Sequence, residues 1–203
     1  MKRFLVLVLV SSLACLSAGC GSPSESPVEA AAPVGIAAFP SPGMAPPGID
    51  DLRIGMPCDA ALNVVRANTH GQQGGFDRLA GRLHHPVANL LNIIHALCSE
   101  GELVELRLAG PPSNHMNTGG MAMGQLEDLN RFLVQHLGRP TSSEAVSVPT
   151  SALPGLPALP LDSRLTHWAT TQGLNVSSEL RVLQGMDVYA AMTIQRDKAP
   201  DQF

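Results

Sequence analysis

The chain has 203 residues and a formal net charge of −4, from 13 Lys and Arg against 17 Asp and Glu. No cluster of basic side chains follows Arg3, which argues against nucleic acid as a partner, because a polyanion needs a basic face to bind. One Trp, one Tyr and five Phe argue against an aromatic-lined platform for sugars or bases and leave the core to Leu, Val, Ile, Met and Ala.

Lys2 and Arg3 precede an unbroken apolar run from Phe4 to Val10, and Ser11 to Gly19 are mostly small, which is the three-part plan of a secretory signal. The stretch from Phe4 to Leu16 falls short of the roughly 20 apolar residues that a membrane-spanning helix needs. Leu16-Ser17-Ala18-Gly19-Cys20 resembles the lipobox of bacterial lipoproteins, with Ser17 standing where that family usually carries Leu. The resemblance implies residues 1–19 as signal peptide, Cys20 as the lipidated and palmitate-bearing amino terminus, and membrane attachment through that lipid. Because Gly21 is not the Asp that commonly retains such proteins in the inner membrane, it also implies the outer membrane, on the periplasmic side. The other reading is ordinary signal-peptidase cleavage, giving a soluble periplasmic or secreted protein. Each buried methylene adds about 0.8 kcal/mol, so several acyl chains make an effectively permanent anchor.

Loss of Lys2 and Arg3 with the signal leaves eleven basic against seventeen acidic residues, a net charge of −6. Cys15 leaves with the signal, Cys20 takes the lipid, and Cys58 and Cys98 remain. An even pair in an oxidising compartment predicts a disulfide, and closing a loop of about 40 residues contributes roughly 4 kcal/mol on the chain-entropy model. Two buried free thiols are the alternative.

Residues 20–48 read as the lipidated cysteine and a tether rich in Pro, Ala, Ser and Gly, and residues 49–203 as a single globular α+β domain. After a short lead-in over Leu52–Met56, Pro57 suits a first helical turn and Ala61, Val64 and Val65 follow at helical spacing, predicting a helix over 57–68. The glycines from Gly71 to Gly75 break that pattern. Residues 86–98 admit two readings. Val87, Leu90, Leu91, Ile94, Leu97 and Cys98 fit a helical face, whereas Ile94, Ala96 and Cys98 alternate like a strand. The turn Ser99-Glu100-Gly101 and the alternation of Val104, Leu106 and Leu108 favour a hairpin. Residues 111–124 read as a loop. Leu126, Leu129, Leu133 and Leu137 then predict a helix over 125–137, stopped by Gly138 and Pro140. The Pro-rich stretch 141–161 reads as a second long loop, and residues 164–170, 174–183 and 188–195 as strands.

That order predicts an α+β fold of two layers, an antiparallel sheet with helices packed on one face, compatible with two diverged helix-then-strands halves. The lead-in at Leu52–Met56 followed by a helix, and the later helix ending in Leu137-Gly138-Arg139-Pro140, resemble small envelope lipoprotein domains of the BamE type and inhibitor-like domains of similar build. No functional residue follows from that likeness.

Candidate chemistry is sparse. His70, His84, His85 and His95 are imidazoles of the kind transition metals favour, but they lack the short, one-faced spacing of a ligand set. His115, with Met116, Met121 and Met123 in a Gly-rich stretch, offers soft donors of the kind copper takes, and equally an adaptable packing surface. No serine lies in a Gly-x-Ser-x-Gly elbow. Gly119–Gly124 is followed by no Lys-Ser or Lys-Thr, so it is not a phosphate loop. Trp168 is expected as a core anchor beside His167. The leading expectation is a non-enzymatic, lipid-anchored envelope domain that binds or scaffolds another envelope protein, with no cofactor and no resident metal. A small-ligand or metal-binding lipoprotein and a soluble exported hydrolase are the alternatives.

Overall fold

The structure, a computed structural model, describes residues 34–114, 119–148, 161–182 and 187–197. Two short strands, β1 (Ile36–Ala37) and β2 (Arg53–Ile54), pair antiparallel, and α1 (Cys58–Ala67) follows. Next come β3 (Thr69–Gly74), β4 (Arg78–Val87), β5 (Leu91–Ser99), β6 (Glu102–Ala109) and the two-residue β7 (Ser113–Asn114). Helix α2 (Gly119–Leu137) leads into β8 (Ser142–Val148), β9 (Leu161–Ala169), β10 (Leu174–Val182) and β11 (Asp187–Arg196).

The main sheet is antiparallel, in the order β3-β4-β5-β6-β11-β10-β9-β8, with β7 on the end of β11. The chain is thus α+β, α1 preceding the four long strands β3–β6 and the short β7 and α2 preceding β8–β11, and the last long strands of the two runs, β6 and β11, meet at the centre. There Leu106 stands opposite Ile194 and Leu108 opposite Met192, all four fully buried. Helix α1 packs against β3 to β6, and α2 against β9, β10 and β11. Ala61, Leu62 and Val65 of α1 and Leu129 and Leu133 of α2 belong to one buried cluster with Ile94, Leu106, Leu108, Val176 and Ile194. At about 25 cal/mol per Å² of apolar surface, each of the buried Leu, Ile and Val side chains contributes roughly 1.5–3 kcal/mol.

Several expectations are refined. The 86–98 segment is not helical but holds the end of β4, a turn over residues 88–90 and most of β5; β5 pairs with β6 through a turn in which Glu100 (φ 54°) and Gly101 (φ 83°) are both left-handed, the geometry of a tight hairpin. The Gly71–Gly75 stretch does not simply break the pattern but carries β3, which bulges between His70 and Gln73. Opposite it, Gly81 has no room for a Cβ, which would sit 2.6 Å from the Thr69 Oγ1. That hydroxyl donates to the Val65 carbonyl at 2.8 Å, so β3 is drawn against the end of α1. Helix α2 starts six residues earlier than the leucine stripe marks, at Gly119, and β8 lies within the stretch read as a loop. Residues 149–160 of that stretch lie outside the described residues.

The segment 34–48, read from composition as the end of a tether, is packed. Ala38, Phe39 and Met44 join the main core, and the Ala38 N–H donates to the Leu52 carbonyl at 2.9 Å. Isolated apolar residues between prolines have no periodicity for a sequence pattern to register, yet each fills a site.

Cys58 and Cys98 form a disulfide with Cα atoms 5.8 Å apart. It ties the first turn of α1 to the β5–β6 hairpin, where the Cys58 N–H also donates to the Gly101 carbonyl. Trp168 is 1 % exposed, and its Nε1–H donates to the Gly138 carbonyl at 3.1 Å. Gly138 itself is left-handed (φ 81°) and caps α2 in the manner that favours glycine there.

Two substitutions separate packed from unpacked residues. Met44→Ala should cost about 2–4 kcal/mol through loss of buried methylenes and the cavity left behind. Phe76→Ser, at a fully exposed hairpin tip, should stay within about 0.5 kcal/mol of wild type. Urea unfolding of each variant measures both, and a neutral Met44→Ala would mean that residues 34–48 do not pack.

Candidate functional site

Strand register sorts the sheet residues into two sets. Ile94, Ala96, Leu106, Leu108, Val176, Met192 and Ile194 alternate with a second set and form the core with both helices. The second set makes three cross-strand rows on the other face. The central row is Ala80, His95, Arg107, Thr193, Ser177, His167 and Ser142, crossing seven strands. On one side of it run Arg78, Leu97, Glu105, Gln195, Asn175 and Ala169, and on the other Arg82, Ile93, Ala109, Ala191 and Glu179. Arg181, opposite Tyr189, continues the face along β10.

This face differs chemically from the rest of the chain. It presents Arg78, Arg82, Arg107 and Arg181 against Glu105 and Glu179, a positive balance in a protein of negative net charge. Arg107 pairs with Glu105 at 2.6 Å, and Arg181 pairs with Glu179. Each pair is two residues apart on one strand, the spacing that puts both side chains on the same face. These four side chains are partly shielded from water, and among the described residues the Arg107 Nε and the Thr193 Oγ1 are buried without a hydrogen-bond partner. Unpartnered buried polar atoms are uncommon and costly. His167 Nδ1 meets Asn175 Oδ1 at 3.3 Å. Near the β3–β4 end, a cleft of about 460 Å³ is lined by Gln73, Arg78, His95, Leu97, Glu105 and Arg107, and Leu97 is an exposed leucine there.

The surroundings of His95 disfavour its protonated form. Desolvation on the sheet, with Arg107 and then Arg181 adding positive charge nearby, holds its pKa below the usual 6.5, against the smaller pull of Glu105. It therefore stays neutral to lower pH than an ordinary histidine.

The histidines considered as metal ligands separate. The His70 and His84 rings stack with centroids 5.4 Å apart, while His95 faces Arg107. Among the described residues no group of three or more His, Cys, Asp or Glu side chains is placed to hold a metal ion. His115 and Met116 lie outside the described residues. Met121 is exposed, and Met123 packs beside Ala122 and Leu126 in a smaller second core.

One juxtaposition was invisible in the sequence. The Ser41 Oγ lies 3.3 Å from His136 Nδ1, beside a cleft of about 580 Å³ that Ser41 and Asp50 help to line. The Asp50 carboxylate accepts the Gly48 N–H, and His136 packs against Phe132. Ser41 belongs to the segment that composition assigns to a tether, so no motif marks it.

Comparison with family models, with curated proteins and with solved structures finds no match to this chain.

The sign of the His95 effect is testable. Its proton is disfavoured in the folded state, so the chain gains stability as pH rises toward 6.5 and loses it as pH falls below. His95→Gln should flatten that acid-side loss. By NMR the His95 ring should titrate below 6.5, and Arg107→Gln should move the midpoint upward. A midpoint at or above the ordinary value would refute the assigned environment.

Proposed function

We propose that this chain is a lipid-anchored, non-enzymatic domain of the bacterial cell envelope that binds another envelope protein. On this reading the anchor is Cys20, within Leu16-Ser17-Ala18-Gly19-Cys20, and Gly21 in place of Asp favours the periplasmic side of the outer membrane. On this reading the helices lie together on the sheet face carrying Ile94, Leu106 and Met192, giving two layers and two diverged helix-then-strands halves. The other face is the binding surface.

The observation that carries the reading is the polar row from His95 to His167, flanked by four arginines and two glutamates. The accessible part of this face is its margin, where Arg78, Arg82 and Leu97 are exposed, while Ala109, Ala191, Ser177 and Thr193 at its centre are buried; charge around an exposed apolar residue at such a margin suits recognition. Its excess of arginine favours a protein partner that presents carboxylates.

The test has an anchoring arm and a face arm. Intact mass of membrane-extracted protein should show loss of residues 1–19 and added acyl chains, and Cys20→Ala should release the protein from membranes. A photo-crosslinker replacing Leu97 should join the anchored chain to a partner, with the adduct reduced several-fold by Arg107→Glu. Identical adducts with and without the anchor and the arginine would sink the reading.

Ser41 and His136 support a second reading, a hydrolase. A serine nucleophile needs a base that is itself oriented, and among the described residues His136 meets the Ser41 hydroxyl and packs against the Phe132 ring. We expect no labelling of Ser41 by a fluorophosphonate probe. Labelling that disappears in Ser41→Ala and in His136→Ala would establish the hydrolase instead.

A further inference from the structure

The main sheet has two outer edges, β3 and β8, and they are built differently. β3 is interrupted: its register shifts between His70 and Gln73, and Gly71 lies in the left-handed region. The Gln72 amide turns back to donate to the Arg66 and Thr69 carbonyls. Bulges and irregularities of this kind blunt an edge against further pairing. β8 has none of them. It pairs with β9 through seven consecutive positions without a shift, and residues 142–147 are exposed. Its sequence Ser-Ser-Glu-Ala-Val-Ser-Val contains no Pro, Gly or Lys and one charge, Glu144. A groove of about 600 Å³ runs beside it, lined by Met123, Leu126, Asn130, Val146 and Ser163 among others. Among the described residues the Ser163 Oγ is buried there without a hydrogen-bond partner.

We propose that β8 is the interface of a two-fold homodimer, pairing antiparallel with β8 of a second copy so that the sheet continues across the dyad. The composition of the strand favours its own copy as occupant. A dyad normal to the sheet passes through a residue that faces itself, and placing it at Ala145 pairs all seven residues. Ser142 then faces Val148 of the second copy, Ser143 faces Ser147, and Glu144 faces Val146. A dyad at Glu144 would set two carboxylates against each other, which is unfavourable. A dyad at Val146 would leave Ser142 and Ser143 outside the strand pairing. Small residues at the centre let the backbones approach, and the flanking serines pair by hydroxyl contacts. Seven residues of strand pairing bury less than the roughly 1,200–2,000 Å² of stable complexes, so the dimer is weak and forms best where chains are concentrated.

Cysteine trapping in the full chain, expressed with its own leader, reads the register directly. With Cys58 and Cys98 already joined, Ala145→Cys should give a disulfide dimer on a non-reducing gel. Its yield should exceed that of wild type and of Gln172→Cys, a control at an exposed turn, by about ten-fold or more. Adding Val146→Asp to Ala145→Cys places Asp against Glu144 twice per dimer and should lower the yield several-fold. Val146→Lys places an opposite charge there and should preserve it. Sedimentation of the purified wild-type chain should show mass rising with concentration. A yield for Ala145→Cys no greater than for Gln172→Cys, equal yields for the two Val146 variants, or a monomer at every concentration would each overturn the proposal.

Discussion

Two runs of four strands become one sheet through a single seam, the antiparallel pairing of β6 with β11. Leu106 against Ile194 and Leu108 against Met192 fill it from one side, and Ala109 against Ala191 lets the other side lie close. Everything else is placed relative to that seam. Both helices contribute to the core that it closes, since Leu129 and Leu133 of α2 and Ala61 and Val65 of α1 belong to one buried cluster with Leu106 and Ile194. Arg107 and Thr193 sit opposite each other across it, so the same pairing that closes the core also assembles the polar face from residues 86 positions apart. A shift of one residue at this seam would set the apolar residues of one run beside the polar residues of the other.

The disulfide and the Trp168 contact act at the two helix ends. Cys58–Cys98 holds the start of α1 to the hairpin tip, and Trp168 holds the end of α2 to β9. The Ser178 hydroxyl, fully buried, reaches Asn130 at 2.5 Å, giving α2 a polar fix in its middle. Each helix is thus secured by a directional contact as well as by area burial, which alone has no preferred register.

What the sequence disclosed and what it hid divide along range of interaction. The leucine stripe of α2 and the alternation of Val104, Leu106 and Leu108 are local periodicities, and both elements stand where the pattern puts them, apart from the glycine-bearing first turns of α2. β3 and β8 were hidden because they are edge strands with little apolar content, and residues 34–48 because the short run Ile36–Phe39 and the lone Met44 stand among prolines and glycines without a period. The Cys58–Cys98 pair was legible by elimination among four cysteines. The polar face was not, since the neighbours of His95 are Ala80 and Arg107 only after the registers of β5 with β4 and with β6 are known. The approach of Ser41 to His136 was hidden for the same reason.

The packing of residues 34–48 also sets a distance. Compositional reading allowed about 28 residues between the lipidated cysteine and the domain, enough for a reach of up to roughly 85 Å. With β1 paired to β2 from Ile36 onward and Ala38 bonded to Leu52, only the sixteen peptide steps from Cys20 to Ile36 remain, no more than about 58 Å when fully extended. A chain anchored at Cys20, as proposed, would therefore work within a thin layer next to its membrane, and a partner meeting it would have to project into that layer.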